Sequence, residues 1–383
     1  MAEEQVRILS LDELRTHRST KWRDFPSDVL PLPVAEMDFA VAEPIRALLA
    51  DMVAHSDLGY LGPIPELAIA FAKFSQSRWN WSVDPEQVHT VTDVGVGVVE
   101  VLRQFTKPGD KVLLSSPIYH NFYTWMDETG LEKVDVPFLH GVDGWEMDFE
   151  GIKRAYKSGI KVHLLCNPHN PLGRVYLKEE LEQIAELAKE HGVLVISDEI
   201  HAPLTFAEAT FIPFLSLGPI AQEVGITVTA ASKAWNIAGL KCAIVVSQSK
   251  TMNKKLALLP PATHYRASLL GGFATATAFA DGEPWLNAVL KILDSNRHFL
   301  KTLLVDKLPT VRYEVPECSY LAWIDLSTLN LGENPTKVLL ERGKVAFNAG
   351  QTFGPDTSQF IRLNFATSQE VLSEAVDRIV QVI

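Results

Sequence analysis

Between residues 88 and 247 short apolar runs alternate with amphipathic stretches, and this pattern restricts the fold more than any other feature. VHTVTD (88–93), KVLLSSP (111–117), KVHLLCNP (161–168), VLVISDE (193–199), ITVTAAS (226–232) and LKCAIVVS (240–247) are rich in apolar and β-branched residues, as strands are. GVGVVEVLRQFTK (95–107) follows the first of them with helical periodicity. EELEQIAELAKEHG (179–192) has an apolar stripe and the terminal glycine of a helix stop. A strand with one solvated face would alternate apolar and polar residues. Near-continuous apolar strands separated by helices therefore predict an α/β fold whose mostly parallel sheet is covered on both faces.

The last hundred or so residues follow another rule. A helical stretch (285–307) leads into VRYEVP, YLAWIDL and QFIRLNFA, which alternate as half-exposed strands do. This predicts a smaller α+β domain. The expected division is residues 1–44 as an N-terminal arm and part of the small domain, 45–282 as the large domain, and 283–383 as the C-terminal small domain. The turn-rich DGEPW (281–285) marks the second boundary.

Charge and cysteine usage exclude several classes. Net charge is −12, and no run of lysine and arginine forms the basic stripe that phosphate backbones require, so nucleic acid is not an expected partner. The first eighteen residues are polar and charged, without the apolar core of a secretory signal. No run approaches the roughly 20 apolar residues of a membrane span. Cys166, Cys242 and Cys318 are odd in number and far apart, which argues against disulfides and a structural zinc site. A cytoplasmic enzyme is the expectation.

In a doubly wound sheet, ligands sit at the carboxyl ends of the strands. Polar groups follow four of the predicted strands. Asn170 lies in NPHNPLG, Asp198 and His201 in SDEIHA, and Lys233 in ASKAWNIAGL. The turn holding Asp93, Val94 and Gly95 opens a helix, where free N–H groups suit a phosphate. Each group also has an ordinary reading. A lysine after a strand is usually at the surface, an aspartate commonly caps a helix, and N-P-H-N-P is turn chemistry. If Lys233 is desolvated, its pKa falls and the neutral amine can attack a carbonyl. Asp198 can hold a cationic ring nitrogen, and Asn170 can donate to a phenolate.

With Tyr119, NPHNPLG, SDEIH, Ser232–Lys233 and Arg362 in that order, the chain resembles the fold-type I pyridoxal-5′-phosphate enzymes of the aspartate aminotransferase superfamily. The resemblance runs from KWRDFPSDVLPLPVAEMDF (21–39) to RLNFATS (362–368). AEMDF, GYLG, SSPIYHNF, SDEIHAPL and ASKAWNIAGLK are most similar to the cystathionine β-lyase and C–S lyase branch. His201 agrees, because aminotransferases of the superfamily usually carry tyrosine there. The resemblance implies a seven-stranded-type sheet and a homodimer whose active site is shared between subunits. It implies that Lys233 carries the cofactor as a Schiff base and moves the α-proton. Asp198 would pair with the pyridine nitrogen, Asn170 and His201 would face the phenolic oxygen, and Tyr119 would stack on the ring. Val94, Gly95, Ser232 and Lys241 would hold the phosphate, with Tyr60 from the other subunit. Arg362 would clamp the substrate carboxylate. Two departures weaken the phosphate assignment: Asp93 stands where much of the family has glycine, and Ala230 where many members have serine.

The implied reaction is β-elimination from cystathionine or another cysteine S-conjugate, giving pyruvate, ammonia and a thiol. Transamination and decarboxylation start from the same complex and remain alternatives. A nicotinamide-dependent dehydrogenase is a distant one, since GVGVVE (95–100) begins like GxGxxG but has Glu100 in place of the third glycine.

Overall fold

The computed structural model describes residues 5–141 and 144–383. Residues 1–4 of the expected N-terminal arm lie outside the described residues. The central sheet has seven strands: β1 (Val88–Val91), β2 (Lys111–Leu114), β3 (Glu132–Asp135), β4 (Ile160–Cys166), β5 (Leu194–Asp198), β6 (Gly225–Thr229) and β7 (Ala243–Val246). Their spatial order is β1-β7-β6-β5-β4-β2-β3. β7 runs antiparallel to both neighbours, and the other four pairings are parallel. The α/β expectation is met.

The central strands feed two cores. Leu113, Leu165, Val195 and Ile244 point to one face, where Phe71 and Trp235 lie. Their neighbours Val112, Leu164, Ile196 and Val245 point to the other, against Val98 and Leu102 of α1 (Val94–Phe105). That is why the central strands read as unbroken apolar runs: every position of β5, β6 and β7 is buried, while the edge strand β3 is exposed or half-buried along its length. Burying each such side chain contributes about 1.5–3 kcal/mol. Gly97 lets α1 sit close on the sheet, since a Cβ there would lie 3.1 Å from Val91 and 3.3 Å from Val228. Gly192 closes α2 (Lys178–His191) in the left-handed conformation, as its position in the sequence predicts.

The C-terminal region holds α3 (Glu283–Lys307), a four-stranded antiparallel sheet and α4 (Gln369–Val380). Its strands are β8 (Arg312–Tyr313), β9 (Leu321–Asp325), β10 (Asn348–Ala349) and β11 (Phe360–Asn364), in the order β8-β9-β11-β10. Here the structure corrects the expected half-exposure. Four of five residues in both β9 and β11 are buried. Ile324, Ile361 and Leu363 enter the core shared with Leu300 of α3 and Leu372 of α4. Trp323 and Arg362, paired across β9 and β11, are on the opposite face and are buried as well. The alternation in sequence marks two different covered environments, not core and solvent. Among the described residues no helix is long and apolar enough to cross a membrane.

Candidate active site

A cavity of about 470 Å³ opens at the carboxyl ends of β4, β5 and β6. It brings together Lys233, Asp198, Asn170, Tyr119, His201, Val94, Gly95, Ser232, Lys241 and Arg362. Tyr60 is elsewhere: it is 91% exposed and lines a shallow surface hollow with Leu58 and Tyr265.

Asp198 ends β5, where the sheet and its covering helices exclude water. Burial raises its carboxyl to about 7, although the Ile200 N–H donates to Oδ1 at 3.1 Å and Lys233 is a nearby cation. A cationic ligand would hold this group ionised. Lys233 follows β6 by a short turn, and its Nζ donates to the Ala35 carbonyl at 3.0 Å. Burial, with the Arg362 charge behind it, lowers the amine to about 8. Its acylation rate by a water-soluble amine reagent in the cofactor-free protein should therefore rise with pH and level off above about 8. Exposed lysines should keep gaining up to about 10.4. Peptide mapping after competition labelling would check this, and a midpoint shared with the surface lysines would contradict it.

Arg362 is in the middle of β11, only 3% exposed. Nη1 donates to Asn170 Oδ1 at 3.0 Å, and Nη2 donates to Asn348 Oδ1 at 2.6 Å and to the Pro33 carbonyl at 3.2 Å. All three acceptors are neutral, and Nε is buried without a partner. Burial lowers the guanidinium to about 10, so it stays charged near neutral pH. A buried cation without a counter-ion among the described residues suits a carboxylate ligand. Asn170 uses its oxygen on Arg362, which leaves its amide nitrogen as a donor. Tyr119 accepts from Asn121 Nδ2 at 2.9 Å, and burial raises its phenol pKa.

At the start of α1, Asp93 caps the helix by accepting from the Val96 N–H at 2.8 Å. The N–H groups of Val94 and Gly95 belong to the first turn, which has no intrahelical acceptor. Gly95 also makes room for Trp125, whose Nε1 would lie 3.0 Å from a Cβ. Lys241 pairs with Asp93 Oδ2 at 3.1 Å. The two departures thus differ in consequence: Asp93 brings a negative charge to the cradle, while Ala230 is simply buried.

Sequence reasoning did not find Thr20, Pro33, Val34, His120, Trp125 or Asn348, which also line the cavity. Pro33, Val34, Ala35 and His120 lie within segments that carry the resemblance, but none had an assigned task. Backbone groups and neutral side chains that meet only on folding leave no local chemical signal.

Residues 27–379 match the family model for aminotransferase class I and II. The cystathionine beta-lyase of Corynebacterium glutamicum is 36% identical, with 99% of this chain and 100% of that one covered. The chain belongs to the aminotransferase class I and II family. Within the family, the cystathionine beta-lyase PatB of Bacillus subtilis is 32% identical over 92% of both chains. Among solved structures, cystalysin from Treponema denticola, which contains pyridoxal 5′-phosphate, superposes with a TM-score of 0.92. It is 26% identical, over 100% of this chain and 99% of that chain.

Proposed function

We propose that this member of the family is a pyridoxal-5′-phosphate-dependent carbon–sulfur lyase acting on cystathionine or another cysteine S-conjugate. The observation that carries the reading is the meeting, in one cavity, of a lysine amine lowered to about 8, a buried aspartate and a buried arginine with neutral acceptors only. These residues fit the cofactor. Asp198 would face its ring nitrogen, Tyr119 its ring, Asn170 and His201 its phenolic oxygen. Val94, Gly95, Ser232 and Lys241 would hold its phosphate. When bound, the cofactor supplies an electron sink for negative charge at the substrate Cα.

The chain supplies the rest. Arg362 binds the substrate carboxylate through its planar fork, and the orphaned Nε gives it a further donor. This fixes the amino acid with its Cα within reach of Lys233. The neutral Nζ of Lys233 takes the α-proton, and the thiolate then leaves from Cβ. With cystathionine and water the net products are homocysteine, pyruvate and ammonia. The proposed enzyme acts in the cytoplasm as a homodimer. Tyr60 would reach the phosphate of the other subunit, a reading supported by the exposed Leu58, Tyr60 and Tyr265 clustered around one hollow.

Purified protein given L-cystathionine should release pyruvate and a free thiol in equal amounts, measured by lactate dehydrogenase coupling and a thiol reagent. Amino-group transfer to an added 2-oxo acid without thiol release would replace the reading with an aminotransferase.

A further inference from the structure

Among the described residues the His201 ring makes one hydrogen bond: its Nδ1 lies 3.0 Å from the Oγ of Ser319. Ser319 comes from PECSYLAW, the loop that enters β9, more than a hundred residues away in sequence. Both residues are buried, at 4% and 2% exposure, and His201 lines the catalytic cavity. The serine is rigidly placed. Its N–H donates to the Leu204 carbonyl at 2.9 Å, and Cys318 before it bridges to Thr205. Glu317 is held from two sides: its N–H donates to the Gly173 carbonyl at 2.8 Å, and its Oε2 accepts from the Val175 N–H at 2.8 Å. Ser319 itself has a φ of +71°, in the left-handed region that non-glycine residues seldom occupy.

Burial beside Lys233 and Arg362 lowers His201 to about 3, so the ring is neutral and carries one proton. Where that proton sits follows from hydrogen-bond satisfaction. A neutral imidazole offers one donor and one acceptor, while a hydroxyl can play either part. If Nδ1 held the proton, Ser319 Oγ would accept it, and its own O–H would be buried without an acceptor. Among the described residues Oγ has no other partner. An unmade buried donor is unfavourable, whereas Oγ–H donating to Nδ1 satisfies both groups. That leaves the ring proton on Nε2, the nitrogen not engaged by Ser319.

We propose that Ser319 is a positioning residue that fixes His201 as an Nε2–H donor toward the cavity. The role of that donor rests on the assignment, made above, of His201 to the cofactor's phenolic oxygen. A hydroxyl from the C-terminal region would then set the hydrogen-bonding sense of a group at the end of β5.

The test uses Ser319→Gly, because glycine adopts the left-handed backbone freely while the hydroxyl is lost with its Cβ. Ring ¹⁵N shifts of His201, recorded on cofactor-free protein and assigned with His201→Phe, should show Nε2–H in the wild type. In Ser319→Gly they should move toward a mixture of tautomers. The loaded variant should show a displaced visible absorption band and a roughly 2–10-fold fall in kcat/KM, the effect of one hydrogen bond. An Nδ1–H tautomer in the wild type, or no change in Ser319→Gly, would overturn the inference. A tautomer change with an unaltered band in both Ser319→Gly and His201→Phe would uphold the positioning and refute the cofactor contact instead.

Discussion

Replacing Lys233 with alanine is expected to lower turnover of L-cystathionine by about 10⁴-fold or more while leaving the fold intact. A positioned general base contributes about 10²–10⁴-fold, and this amine would in addition anchor the cofactor. The structure explains why folding should survive. The Ala35 carbonyl that accepts from Nζ also accepts from the Tyr320 hydroxyl at 3.0 Å, so deletion of the amine leaves no orphaned acceptor. The lysine is also unfavourably placed for stability. Its folded pKa of about 8 lies below the ordinary lysine value of 10.5, so the folded state binds protons less readily than the unfolded chain. That unfavourable contribution is fully present below about pH 8 and disappears as pH rises toward 10.5. Cofactor-free Lys233→Ala should therefore melt no lower than wild type at pH 7, and the wild type should gain on it between those values. Circular dichroism melts beside the pyruvate assay would check both parts. Retained activity would remove Lys233 from the mechanism, and a collapsed melt would make the lost activity uninformative.

The same residues show what a sequence can disclose. Lys233, Asp198 and Asn170 were legible because each lies at the end of a continuous apolar strand or within four residues of it, so its place in the fold is set locally. Arg362 was less so. Its strand alternates, and alternation ordinarily means that one face meets water. Only the packed structure shows that the second face of β11 closes over the cavity and that the arginine has Asn170 and Asn348 as partners from distant segments. Ser319 carried no signal, since its position depends on a left-handed backbone and on pairing with residues 204 and 205. The phosphate cradle was half legible. The glycine at 95 and the helix start were visible, but the Asp93–Lys241 pair arises from two loops 148 residues apart.

Arg362→Leu should then give the second largest loss, and its kinetic form separates binding from chemistry. Removing one partner of a buried, hydrogen-bonded charge pair costs about 2–5 kcal/mol, which is roughly a 30- to 4,000-fold drop in kcat/KM. If the guanidinium holds the substrate carboxylate equally in the ground and transition states, KM should carry most of that loss and kcat should change little. Arg362→Lys should rescue only in part. An ammonium keeps the charge but is a point donor, and the present fork satisfies Asn170 on one nitrogen while another serves Asn348 and Pro33. Stability should change far less than activity in the leucine variant. Burial already pulls the guanidinium down to about 10, so the charge sits where the protein solvates it poorly. Leucine relieves that penalty while leaving two asparagine oxygens and the Pro33 carbonyl short of a donor, so the melting temperature should shift by only a few degrees. Steady-state kinetics with L-cystathionine, set beside a substrate analogue lacking the carboxylate, would decide the matter. Wild type should prefer the carboxylate-bearing substrate strongly and Arg362→Leu should not; an undiminished preference in the variant would mean that another group holds the carboxylate.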